Sequence, residues 1–141
     1  MTVRQLSIFL ENKSGRVTEV LDALGSEKIR IHAMTIADTS EFGILRMVTS
    51  DPDKSLNLLK NRGFSVNLTD VLAISTPAEA GRFAQILQCF SSEKISIEYM
   101  YAFSIGKTAY LILRTDDSNR ALDVVAKNGL QLVTYDDLKF L

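Results

Sequence analysis

Ser14-Gly15-Arg16-Val17 recurs 66 residues downstream as Ala80-Gly81-Arg82-Phe83. At the same offset, with no gap, Ser26-Glu27-Lys28-Ile29 falls on Ser92-Glu93-Lys94-Ile95. Ile31 meets Ile97, Met34 meets Met100 and Leu45 meets Leu111. Further on, Thr49 meets Thr115, Asp51 meets Asp117, Leu56 meets Leu122 and Gly63 meets Gly129. A register held over roughly fifty residues, with glycines matching at element ends, marks an internal duplication.

Each copy reads as six elements. Residues 3–10 alternate, with Leu6, Ile8 and Leu10 on one face, as a half-buried strand requires. After Gly15, the residues Val17, Val20, Leu21 and Leu24 recur at helical spacing, and Gly25 lies near the stop. Residues 28–38 are rich in β-branched side chains, and a turn through Ser40-Glu41-Phe42-Gly43 leads into a strand over 43–49. Asp51-Pro52 opens a second helix, with proline in its first turn. Asn61-Arg62-Gly63 closes that helix, and residues 64–68 make the last strand. In the second copy the expected strands are 71–75, 95–105, 109–115 and 130–134, with helices at 79–93 and 118–127. The βαββαβ order predicts an α+β fold: two tandem ferredoxin-like modules, 1–69 and 70–141, each an antiparallel sheet with helices on one face. Only Thr69-Asp70 lies between them, with no Pro/Gly/Ser linker.

Apolar side chains are expected on both faces of the sheets. Alternation places Ile29 and Ile31 opposite Met34 and Ile36, and it places Ile95, Ile97, Tyr99, Tyr101 and Phe103 opposite Met100 and Ala102. A helix-free face that is also apolar needs a cover, either the second module or a second chain, which favours a homodimer.

Composition narrows the function classes. The 141 residues carry a net charge of −1, one histidine and one cysteine. Near-neutral charge gives no basic footprint for nucleic acid or an anionic membrane. No apolar run approaches the ~18 residues of a membrane span, and the strand-like N-terminus shows no signal peptide. Cys89 alone cannot form an internal disulfide, which fits a reducing cytoplasm. His32 as sole histidine excludes a multi-histidine metal site and a Ser-His-Asp triad. Cys89 sits among Ile86, Leu87 and Phe90 and reads as a small core hydrophobe. No phosphate-cradling glycine loop is present, and the pairs Asp116-Asp117 and Asp136-Asp137 read as solvated caps. No catalytic residue, metal or cofactor is therefore expected.

The strand running into Glu11-Asn12-Lys13-Ser14-Gly15-Arg16-Val17 resembles the amino-acid-sensing ACT domain, and the resemblance covers the chain once per copy. That family places an acidic or Asn residue, a basic residue, often Pro, then Gly and an aliphatic between its first strand and helix. The resemblance implies a non-catalytic regulatory module that binds a free amino acid between the glycine turn of one module and a strand of another. It assigns Asn12, Lys13, Ser14, Gly15, Arg16 and Val17 to the ligand in the first copy, with Ala80, Gly81, Arg82 and Phe83 in the second. The other wall would be Arg30 and Ile31, or Ser96 and Ile97. The regulated partner would be a separate metabolic enzyme. Two departures stand out: Ser14 replaces the common proline, and Ala78 occupies the place of Asn12, which favours one good site or two unequal ones.

The residue types suit that chemistry. A turn entering a helix offers free N–H groups and the positive dipole end to a carboxylate. Gly15 and Gly81 permit a positive φ and close approach of a ligand. The Asn12 amide carbonyl suits an ammonium group. Arg16 and Arg82 oppose the dipole, so they face a ligand anion or a neighbouring module, or else pair locally, Arg16 with Glu11 or Glu19. Val17 and Phe83 either meet the ligand or belong to the core. Three further readings compete: a ligand-free subunit that binds an enzyme, a small acyl-phosphate hydrolase, and an RNA binder. The hydrolase lacks a convergent catalytic set. Tyr110 and Arg114 are too sparse for RNA.

Overall fold

The computed structural model of the chain describes residues 2–11, 13–38 and 41–139. It contains β1 (Val3–Glu11), α1 (Arg16–Ser26), β2 (Ile31–Asp38), β3 (Phe42–Thr49), α2 (Pro52–Asn61) and β4 (Ser65–Pro77). There follow α3 (Arg82–Ser92), β5 (Ile97–Ile105), β6 (Thr108–Thr115), α4 (Ser118–Lys127), β7 (Gln131–Leu132) and α5 (Tyr135–Leu138). The fold is α+β, with the βαββαβ order run twice, as the duplication requires.

The residues divide into two compact units, one Arg4–Thr69 and the other taking in 70–139. In the first, strands lie in the order β2-β3-β1-β4; in the second, the order is β5-β6-β4-β7. The two orders correspond element for element. Residues 69 and 70 are not a linker, because β4 runs without interruption through them. Strand pairs with a resolved register are antiparallel, with Ile8↔Leu45 in one unit and Ile74↔Leu111 in the other.

Each unit has its own core. Leu6, Ile8, Leu10, Leu45 and Met47 of the first sheet pack against Val20, Ala23 and Leu24 of α1 and Leu59 of α2. Leu72, Ile74, Leu111 and Leu113 of the second pack against Ile86 and Phe90 of α3 and Ala121, Val124 and Val125 of α4. These helical residues recur at three- and four-residue spacing, so one stripe of each helix faces its sheet.

The repeated Ser-Glu-Lys-Ile segment is a helix terminator. Ile29 N–H donates to the Leu24 carbonyl at 3.0 Å and Lys28 N–H to the Gly25 carbonyl at 3.0 Å. Ile95 and Lys94 make the same two bonds to Phe90 and Ser91. This is the paired closure of a Schellman motif, with the left-handed position held by Lys28 (φ 57°) and Lys94 (φ 59°). Gly25 lies in the last turn of α1, one residue before its end at Ser26, so it does mark the neighbourhood of the stop.

Strand faces differ from simple alternation. The register slips between Ile31 and Ala33, and again between Ile97 and Tyr99. Each slip inserts one residue and flips the rest of its strand to the other face. Met34 and Ile36 therefore pair with Met47 and Leu45 and share the helix-bearing face with Ile31, not the opposite face. In the second unit Ile95 and Ile97 join the core, whereas Tyr99, Tyr101 and Phe103 pair with Arg114, Ile112 and Tyr110 on the helix-free face. Phe103 and Tyr110 stack there, with centroids 5.1 Å apart. Apolar burial on both faces still holds, since Ile112 and Ala73 are buried on the helix-free one.

The end of the chain also departs from expectation. The last strand shrinks to Gln131–Leu132 because Thr134 starts α5 with a capping box. The Asp137 N–H donates to Thr134 Oγ1 at 3.2 Å, and the Thr134 N–H donates to the Asp137 carboxylate at 2.9 Å. Leu138 is buried and anchors that turn. Asp117 caps α4 by accepting from the Arg120 N–H at 3.1 Å. Asp117 and Asp137 are thus caps, as their positions suggest.

Candidate functional site

The glycine turns are built alike. Gly15 is the N-cap of α1 at φ 88°, and Gly81 is the N-cap of α3 at φ 86°. At that φ a β-carbon strains the backbone, which explains glycine at both places. Among the described residues neither helix start has a side-chain cap, since glycine stands at both N-cap positions. Among the described residues a β-carbon built at Gly15 or Gly81 meets nothing within 4 Å, so the space beside each glycine is open. Helix 79–93 was expected from the pattern; the left-handed Gly81 holds its start back to Arg82.

Around the first turn, Lys13 and Ser14 are exposed, and Lys13 Nζ lies 2.8 Å from Glu11. The Lys13 ammonium holds the Glu11 carboxyl below its ordinary range, chiefly through their hydrogen bond. Asn12 lies outside the described residues. Arg16 pairs with Glu19 at 3.0 Å and lies over the Phe64 ring, 5.2 Å from its centre. Its local partner is thus one of the two glutamates foreseen. Around the second turn, Arg82 instead gives Nε and a terminal nitrogen to Glu79 at 3.1 and 2.9 Å. Ala80 is exposed. Val17 and Phe83 are half-buried and pack against their respective cores.

The other wall lies elsewhere in each unit. Arg30 N–H donates to Ser50 Oγ at 2.9 Å, and Ile31 pairs with Thr49. Glu11, which leads into the glycine turn, pairs with Phe42 at the far end of the same β3. The two places are the first and last residues of the eight-residue β3, about 23 Å apart at the rise of an extended strand. The second unit repeats this: Ser96 N–H donates to Asp116 Oδ1 at 3.1 Å and Ile97 pairs with Thr115, while Pro77 pairs with Thr108. Within one module the glycine turn and the β2 or β5 start are therefore not brought together.

Sequence reasoning did not single out two hollows of the second unit. A groove of about 250 Å³ is lined by Glu93, Arg120, Asp123 and Lys127, in which Lys127 Nζ sits 2.8 Å from the Glu93 carboxylate and Arg120 reaches the Glu93 carbonyl. A second hollow of about 280 Å³ is lined by Arg82, Gln85, Ile86, Cys89, Leu130 and Gln131, among others. Cys89 is half-buried, lines this hollow and packs against the second core, and its thiol donates to the Gln85 carbonyl at 3.3 Å. The signal for this hollow is in the sequence, in the positions where the two copies disagree.

Among the described residues no cluster of three or more His, Cys, Asp or Glu side chains forms a metal site, and no helix is long and apolar enough to cross a membrane.

A duplicated ferredoxin-like βαββαβ fold with uncapped glycine turns defines a class of small tandem-module proteins. The whole chain, residues 1–141, matches the ACT domain pair, and it belongs to that family. It is similar to a protein of Bacteroides thetaiotaomicron of known structure: 43% identity over 100% of this chain and 98% of that one, with a TM-score of 0.95. The fold is also that of the ligand-free regulatory subunit of aspartate kinase from Thermus thermophilus (16% identity, 88% of this chain and 90% of that one, TM-score 0.65). A regulatory subunit of aspartate kinase from Thermus flavus is alike to a similar degree (18%, 88% and 90%, TM-score 0.62). No curated protein matches the chain.

Proposed function

We propose that this protein is a non-catalytic sensor that binds a free amino acid and modulates a separate metabolic enzyme. The observation that carries the reading is the pair Gly15 and Gly81, which adopt the same left-handed conformation at the uncapped starts of equivalent helices. Backbone N–H groups there suit the ligand carboxylate. Lys13, Ser14 and Arg16 surround one turn, and Ala80, Gly81 and Arg82 form the other. The second wall, Arg30 and Ile31 or Ser96 and Ile97, lies at the opposite end of its own sheet. A complete site then takes its turn from one module and its strand from another, as the family resemblance implies. A homodimer supplies such pairings, and domains 1–69 and 70–141 are the units that exchange them. The cytoplasm is the compartment this reading requires.

Membership of the ACT domain pair supports the regulatory role. The aspartate kinase regulatory subunit that shares the fold supports a separate enzyme as partner. Backbone NMR tests the binding site: the cognate amino acid shifts the amides of Gly15, Arg16 and Val17 saturably. If no standard amino acid moves those amides in ligand-free protein, the sensor reading fails.

A further inference from the structure

The two copies treat one place in the module differently. In the first, the Arg16 guanidinium lies over the Phe64 ring and pairs with Glu19 on its own helix, and Arg16 Nε is buried. The equivalent residues of the second copy are Arg82, Leu130 and Gln85. Leucine removes the ring, and glutamine removes the carboxylate that held the arginine over it. Glu79 replaces Lys13, so the turn now offers Arg82 an anion where the first copy presents a cation. Arg82 accordingly swings to Glu79, and the hollow of about 280 Å³ opens where Arg16 and Phe64 sit in the first copy.

We propose that this hollow of the second module is a binding site for a small carboxylate with a short apolar chain, and that the first module has no counterpart. The inference goes beyond the sensor reading and needs no second module, since all its walls lie within residues 70–139. Arg82 is the only charged group of the wall, and its planar fork matches a carboxylate in two parallel hydrogen bonds. Its present partner is an exposed glutamate, an ion pair of small net worth that a ligand displaces readily. The Gln85 and Gln131 amides supply donors and acceptors for the remaining polar atoms. Ile86, Leu130 and Cys89 give an apolar floor. At this volume the site falls just below the range of drug-sized pockets and suits a metabolite of a few carbons.

The test uses the full chain and three probes that share a carboxylate and a branched chain but differ at the α-carbon: leucine, 4-methyl-2-oxopentanoate and isovalerate. Two readouts are followed, the amides of Gln85, Gly129 and Gln131, and the labelling rate of Cys89, the only thiol. At least one probe at millimolar concentration shifts those amides saturably and slows labelling. Which probe does so distinguishes an amino acid from an oxo acid or a simple acid. Arg82→Gln weakens that binding by roughly tenfold or more. Leu130→Phe, which restores the first-copy residue, abolishes it. The proposal is overturned if no probe moves the amides, or if binding survives both substitutions. It is also overturned if the response is lost in Gly15→Val and kept in Leu130→Phe, since that pattern places the ligand at the glycine turn.

Discussion

Thr49 and Ser55 share a buried hydrogen bond of 2.9 Å between their hydroxyls. The second copy keeps the threonine as Thr115 but has Ala121 in place of the serine, and Thr115 Oγ1 is buried with no partner among the described residues. A buried hydroxyl without a partner costs on the order of 1–3 kcal/mol, and an isosteric apolar side chain removes that penalty. Thr115→Val is expected to raise stability by about 1 kcal/mol, and Thr49→Val to lower it, because that change removes a satisfied buried bond and leaves the Ser55 hydroxyl only its donation to the Asp51 carbonyl at 2.6 Å. Urea unfolding of the two variants checks the opposite signs; equal signs contradict the accounting.

Lys28 and Lys94 hold left-handed φ values in the two Schellman closures. A β-carbon in that conformation costs roughly 1–2 kcal/mol, partly offset by the extra freedom glycine has when unfolded. Lys28→Gly and Lys94→Gly are each expected to stabilise by about 0.5–1 kcal/mol. Differential scanning calorimetry of each single variant measures this. A lowered midpoint in either would mean that the lysine side chain matters more than its backbone.

Gly15 has no neighbour within 4 Å of a built β-carbon, so its requirement is conformational rather than steric. Gly15→Ala is expected to cost about 1–2 kcal/mol and leave the fold intact. A chemical denaturation series comparing Gly15→Ala with Gly25→Ala separates the two cases. Gly25 lies in a helix, where alanine stabilises by up to about 1 kcal/mol.

His32 stands at the strand irregularity, with its Nε2 buried and lacking a partner. Burial, and then the nearby Arg30 charge, pushes its pKa below the ordinary histidine value. Above an ordinary pKa of ~6.5 both folded and unfolded forms are neutral there, and His32 adds no pH dependence. As pH falls through that value the unfolded chain gains a proton that the folded chain resists, so stability is lost. His32→Gln is expected to flatten the fall in urea midpoint between about pH 7.5 and 5.5. An unchanged slope would assign the loss to carboxylates.

Much of this was legible in the sequence. The duplication, the element order and the glycine turns are carried by Gly15/Gly81, Gly63/Gly129 and the helical spacing of Val17, Val20 and Leu24. The features that escaped were set by geometry that period counting does not see. The slip after Ile31 and after Ile97 moves Met34, Ile36, Tyr99, Tyr101 and Phe103 to faces that strict alternation denies them. The left-handed position that closes α1 is Lys28 and not a glycine, because paired backbone bonds outweigh the left-handed penalty. The hollow beside Arg82 depends on small differences between copies, each minor alone. The glycine turns were readable in the sequence, since each rests on one residue type in one turn. That Arg30–Ile31 and Gly15 lie at opposite ends of one sheet was not, because it follows from the strand register.

Amino-acid sensing is tested most directly by thermal unfolding of the purified, ligand-free protein against each standard amino acid. A ligand at 100 times its Kd adds about 2.7 kcal/mol of stability, which for a chain of this size raises the midpoint by several degrees, at roughly 2–8 °C per kcal/mol. A sensor gives a clear shift with one or two amino acids, lost in Gly15→Val. A flat response to every amino acid, from protein shown to carry no bound ligand, would contradict the sensor reading and leave a family member that acts without one.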